Sequence, residues 1–187
     1  MARDANRTRK RLLEAGAAEF AALGIAGARV DRIAEAAECN KAMIYAYFGN
    51  KDQLFDAVFT AHVAAYLERV HFDATDLPGY AGRLFDYFEG NPAALRLSTW
   101  YRLERPHGSP LHAIVSVNQE RLEKLESAQR EGVLPGHYVP AELLALVQSV
   151  ATAWSSMNPE FGVTAPADRE HRREIVVDAV RRLLADG

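Results

Sequence analysis

Residues 29–55, RVDRIAEAAECNKAMIYAYFGNKDQLF, leave few folds open to this chain. Val30, Ile33, Ala34 and Ala37 recur at three- and four-residue spacing, which lines them along one face of a short helix. Asn40 then stands as a helix N-cap, since its side-chain oxygen can accept from a backbone N–H that the helix leaves unpaired. Beyond it Ile44 and Phe48 share one face at i, i+4, while Lys41, Ala42 and Tyr45 point the other way. Asn50, with Gln53 three residues on, has the capping-box pattern and starts a further helix. Two short helices joined by a tight turn, the second with a polar and aromatic outer face, make the layout of a helix-turn-helix.

The rest of the chain reads all-α. Alternating β-branched runs do not occur, and no internal repeat or low-complexity stretch interrupts the pattern. A first helix is expected from about Asn6 to Leu23, stopped by Gly24, followed by the short pair at 30–37 and 40–47. A long fourth helix runs from Asn50 to near His71. A fifth covers about 79–89, and Asn91 caps a sixth with Pro92 at its first position, running to about Glu104. Residues 105–110, RPHGSP, are a connection. A seventh helix spans about 111–131, an eighth starts at Pro140 and ends near Met157, residues 158–166 form a loop, and a ninth opens near Asp168 and ends at Leu184. About nine helices result: a three-helix head over residues 1–49 and a helical body over 50–187.

A chain of 187 residues can bury a core without disulfide or metal staples. Its single cysteine, Cys39, excludes an internal disulfide framework and fits a reducing cytoplasm. No run reaches the roughly 18 apolar residues of a membrane span, and the basic N-terminus lacks the apolar stretch of a signal peptide. The net charge of −3 is unevenly distributed. Residues 1–51 carry nine Lys/Arg against six Asp/Glu, whereas the remainder carries 13 against 19. A basic head on an acidic body steers the head toward phosphates.

Catalysis finds little support. None of the six histidines forms a His-x-x-x-His pair, and no cysteine cluster accompanies them, so no metal site is expected. The serines lack a Gly-x-Ser-x-Gly turn, and no glycine-rich phosphate loop occurs, so neither an enzyme nor a cofactor is expected.

The chain resembles the TetR family of one-component bacterial repressors at Ile33-Ala34, Asn40, Lys41, Tyr45-Ala46-Tyr47-Phe48, Asn50-Lys51-Asp52 and Leu54-Phe55. Upstream, Leu12-Leu13, Ala15, Phe20 and Gly24 are similar to the family's first helix and its stop. The resemblance covers residues 9–55 and departs in three places. Glu38 replaces a frequent turn glycine, Ala28 and Arg29 stand where Thr or Ser is usual, and Met43 stands for a common Thr. It implies a double-stranded DNA operator as partner. Lys51 and Tyr47 would meet phosphates, Tyr45 and Lys41 the groove wall, and Asn40, Ala42 and Met43 the base edges, with Arg29 replacing a lost hydroxyl contact. Arg3, Arg7, Arg9, Lys10 and Arg11 are either a backbone-contacting arm or a solvated terminus.

The resemblance also implies a ligand pocket in the body, for which His62, Tyr66, Trp100, Tyr101, Glu104 and Trp154 are the candidates. Tyr and Trp combine an apolar body with a polar tip, which suits a pocket as well as a core. The apolar stripes Leu143, Leu146, Val147, Val150 on the eighth helix and Val176, Ala179, Val180, Leu183 on the ninth fit either a homodimer interface or the monomer's own core. The resulting expectation is a cytoplasmic, homodimeric repressor of a palindromic operator, released by a small, mainly apolar ligand. The alternative is a helical small-molecule-binding protein that has lost operator binding.

Overall fold

Every described segment that forms regular structure is helical, in a computed structural model that describes residues 2–105, 112–155 and 168–185. The helices are α1 (Ala2–Gly27), α2 (Val30–Ala36), α3 (Lys41–Phe48), α4 (Lys51–Arg69), α5 (Leu77–Gly90), α6 (Pro92–Glu104), α7 (His112–Arg130), α8 (Pro140–Ala151) and α9 (Arg169–Leu183). Nine helices and no strand among the described residues match the expected class. The expected loops within 106–111 and 158–166 lie outside the described residues.

Three boundaries differ from the sequence reading, the first being the start of α1 at Ala2 and not near Asn6. α1 is continuous in hydrogen bonding to Gly27, but Gly24 breaks its geometry at φ 74, ψ −179. α8 ends at Ala151, not near Met157, and Trp154 falls in the turn that follows.

The chain packs into two compact units, one of residues 1–65 and 93–111, the other of residues 66–92 and 112–187. The first is centred on α1 and α4. Leu12, Phe20, Ile33, Ile44, Leu54 and Phe55 are buried there. The Phe20 ring meets Phe55 edge-on at 5.2 Å, and Phe55 stacks on Phe59 at 5.8 Å. Such aromatic pairs contribute about 0.5–1.5 kcal/mol each beyond their burial.

In the second unit α5 packs against both α8 and α9. Tyr80, Leu84, Phe85, Leu125, Leu143, Val147, Val176 and Val180 form its interior. Ion pairs edge this core: Arg173 Nε meets Asp86 at 2.8 Å, and Arg172 meets Glu89 at 2.6 Å. Leu143, Val147, Val176 and Val180 are therefore consumed by their own chain. Ala145 and Ser149 stay exposed, and Leu146, Val150, Ile175, Ala179 and Leu183 stay half-buried.

Candidate nucleic-acid interface

The turn between α2 and α3 is made by backbone geometry. Ala37 closes α2, Glu38 turns the chain at φ 49, and Cys39 N donates to Ala34 O at 3.0 Å. Glu38 thus occupies the left-handed region that glycine adopts without a Cβ penalty. Arg11 pairs with its carboxylate at 3.0 Å. Asn40 caps α3 as its sequence pattern predicts, accepting from Ala42 N at 2.9 Å.

α3 divides as the spacing requires. Ile44 is 0% exposed and Phe48 is buried, which anchors the helix, while Lys41, Ala42, Ala46 and Tyr45 (47% exposed) form the outer face. Met43 and Tyr47 are half-buried at its edges. Arg29 is exposed at the start of α2, where its N–H donates to Glu19 at 2.9 Å. Arg32 reaches the same carboxylate at 2.8 Å. Lys41 pairs with Asp31 at 2.8 Å across the two helices. That bond holds the Asp31 carboxyl below its usual range and the Lys41 ammonium above its own. The exposed face carries cations, a small Ala and a Tyr hydroxyl, which is the chemistry of phosphate and base-edge contact.

Lys51 does more than the sequence indicates. Its ammonium donates to Ala26 O and Ala28 O, both at 3.2 Å. An ammonium has three donors, so one remains beyond these two carbonyls. The same connection is held from its N–H side. Glu104 accepts from Ile25 N at 3.0 Å and from Ala26 N at 2.7 Å. Trp100 Nε1 donates to Ala21 O at 3.3 Å. Arg105 joins Asp56 at 2.9 Å and Asp52 at 3.3 Å on α4. Trp100 and Glu104 do share one face of α6, and that face meets the end of α1.

The basic N-terminal residues are largely engaged within the chain. Arg7 pairs with Asp4 at 3.0 Å, Lys10 approaches Glu14 at 3.8 Å, and Arg9 lies over the Phe48 ring at 5.5 Å. The Arg3 side chain lies outside the described residues.

The six ligand candidates fall into separate places. His62 and Tyr101 flank Phe59: Tyr101 stacks on it at 4.6 Å and His62 lies at 6.1 Å. Burial lowers the His62 pKa below its ordinary value. Trp100 and Glu104 are bonded to α1 as described. Tyr66 belongs to the second unit, where its hydroxyl lies 3.1 Å from that of Tyr80 and accepts from Arg121 at 3.0 Å. Trp154 is half-buried after α8. The sequence reading missed Arg121 and Tyr80. One signal was available, because Arg121 occupies the core position of a stripe continued by Leu125 and Ala128.

Residues 12–58 match the family profile described as bacterial regulatory proteins, tetR family, and residues 76–182 match a tetracyclin repressor-like C-terminal domain. The HTH-type transcriptional repressor SCO4008 of Streptomyces coelicolor is 39% identical over 98% of both chains. The HTH-type transcriptional repressor NicS of Pseudomonas putida is 31% identical over 71% of this chain and 62% of its own. The crystal structure of the transcriptional regulator SCO4942 from Streptomyces coelicolor superposes with a TM-score of 0.85 and 41% identity, covering 94% of this chain and 97% of that one. Among the described residues, no helix is long and apolar enough to cross a membrane.

Proposed function

We propose, from the fact that this chain belongs to the TetR family of bacterial regulatory proteins, that it represses transcription by holding a palindromic operator as a homodimer and lets go when a small organic ligand binds its body. It is a transcriptional regulator related to repressors, and not an enzyme. DNA reading is assigned to residues 1–49, and ligand binding and dimerisation to residues 50–187. The observation that carries the proposal is the outer face of α3. It is anchored from behind by Ile44 and Phe48 and presents Lys41, Ala42 and Tyr45 outward.

In this reading Ala42 and Met43 approach base edges, with the Asn40 amide beside them. Lys41, Tyr45, Tyr47 and Arg29 contact the groove wall and phosphates, and the third Lys51 donor takes a phosphate. Two such heads reading one palindrome must sit about one DNA turn, roughly 34–36 Å, apart. Pairing of two chains through α8 and α9 would set that distance. The exposed Ala145 and Ser149 support it, since small side chains let helices approach closely, and the half-buried Ile175, Ala179 and Leu183 leave apolar surface for a mate.

Release follows from α4, which runs unbroken from Lys51 to Arg69. Lys51 holds the α1–α2 connection, so a ligand that shifts α4 moves the head. Ligand and operator affinities are then reciprocally coupled. A protein that reads chromosomal DNA works in the bacterial cytoplasm. A gel shift across a range of salt, on DNA flanking the chain's own gene, tests the proposal. Specific, salt-sensitive binding is expected, and its absence would favour a ligand-binding protein that no longer reads DNA.

A further inference from the structure

Arg121 is the one charged side chain fully buried among the described residues, at 5% exposure. No carboxylate among those residues pairs with it. Its neighbour Glu120 is exposed and pairs with Lys124 at 2.6 Å. The guanidinium sits instead among rings, 5.3 Å from the centroid of Tyr66, 5.5 Å from Phe72 and 5.6 Å from Tyr80. Its single hydrogen bond within this cluster goes to the Tyr66 hydroxyl at 3.0 Å.

A guanidinium cannot shed its charge, so a buried one needs a counter-charge or another source of stabilisation. Ring faces offset only part of the cost. Tyr80 is no counter-ion, because burial pushes its hydroxyl well above the ordinary range and keeps it neutral. The cluster is also short of acceptors. The Tyr66 and Tyr80 hydroxyls lie 3.1 Å apart, and one proton serves that contact whichever donates. Arg121 has no other hydrogen-bond acceptor among the described residues, and none of its nitrogens is both sealed from solvent and unpartnered, so its remaining N–H groups stay open to an incoming group. A carboxylate supplies both missing elements: negative charge and two oxygens that match the guanidinium fork. Apolar surface adjoins it, with Tyr87 and Phe88 rings 5.3 and 6.2 Å from Tyr66. Tyr66 and Phe72 are only half-buried, so the cluster is not sealed.

We propose that the Arg121–Tyr66–Tyr80 cluster is the docking point for a carboxylate, and that the regulator's ligand is an amphipathic organic acid whose apolar part lies along Tyr87 and Phe88. This rests on the reading of the body as a ligand-binding domain.

The test uses the full-length dimer with octanoate, dodecanoate and phenylbutyrate, each beside the alcohol and the ammonium of the same skeleton. Thermal shift and calorimetry read binding, and a gel shift reads operator release. At least one acid should bind and release DNA, while its alcohol and ammonium counterparts do so at least about tenfold more weakly. Arg121→Met keeps the packing and should weaken acid binding about tenfold or more with operator affinity retained. Tyr66→Phe removes the hydroxyl alone and should weaken acid binding in the same direction. It carries the test if Arg121→Met does not fold. Acid binding unchanged in these variants overturns the proposal. So does a wild-type protein that takes only alcohols or ammonium compounds, or no compound of the panel. Release of DNA by a neutral compound would leave the ligand-responsive reading standing while the acid assignment falls. Acid binding without release would do the reverse.

Discussion

Gly24→Ala should damage this protein far more than a lone glycine substitution normally does. Gly24 sits at φ 74, ψ −179, a region open to essentially glycine alone, and a side chain held there costs on the order of 1–3 kcal/mol. The added Cβ would also run into the Glu104 carboxylate and stand 2.9 Å from Trp100 Cε3. Neither neighbour gives way freely. Glu104 accepts from Ile25 N and Ala26 N, and Trp100 donates to Ala21 O. Displacing the carboxylate loses at least one charge-assisted bond, about 1.5–3 kcal/mol. The less flexible unfolded chain returns about 0.4–1 kcal/mol. The net loss is about 2–5 kcal/mol, or a Tm lowered by about 4–20 °C for a chain of this size.

Gly132→Ala is the control. Its φ is 72, but nothing lies within 4 Å of the added Cβ. Only the left-handed penalty of about 1–2 kcal/mol applies, less the same unfolded-state return. Urea unfolding followed by Trp fluorescence and circular dichroism compares the two. Equal destabilisation would refute the idea that the end of α6 clamps α1 at Gly24.

Three further outcomes are expected. Lys51→Ala should weaken operator binding about equally across DNA sequences, lower the salt slope by roughly one unit, and also lower stability, since Ala26 O and Ala28 O lose their donor. An unchanged slope in a salt-titrated gel shift would confine Lys51 to holding the α1–α2 connection. Ser149→Arg, at an exposed position on α8, should yield a folded monomer by sedimentation, whereas Val180→Glu should unfold the chain because Val180 is fully buried within it. A Ser149→Arg dimer would remove α8 from the interface. Burial holds the folded His62 pKa below the ordinary 6.5, so the unfolded chain binds the extra proton first. The stability contributed by neutral His62 is present above pH 6.5 and is lost as pH falls below it, and urea titrations of wild type and His62→Gln should diverge there.

Local signals in the head were legible because each has a single local cause. Asn40 could only cap α3, and Ile44 and Phe48 had to share a face. The departure at Glu38 marked a position where the backbone takes a left-handed turn. The body was less legible because an apolar stripe states that a face is buried, not against what. Val176 and Val180 read as interface ahead of core, yet both are buried within their own chain, where α5 packs on α9. Trp100 and Glu104 share a face as i, i+4 requires, but which neighbour that face meets depends on contacts nearly 80 residues away. Lys51 was legible as a cation and not as the donor to two carbonyls, because backbone acceptors carry no sequence signature. Arg121 was visible in principle as a charge in an apolar stripe, and its meaning needed the rings brought in from α4 and α5.

The central claim is that α3 reads a palindrome as one of two paired heads. Selecting bound duplexes from a random DNA pool with the full-length protein, then footprinting the winners, tests it most directly. Two inverted half-sites about 10–10.5 base pairs apart, centre to centre, are expected, with selectivity relaxed by substitutions at Ala42 or Met43. Enrichment of no sequence, or of a single half-site bound by one chain, would contradict it.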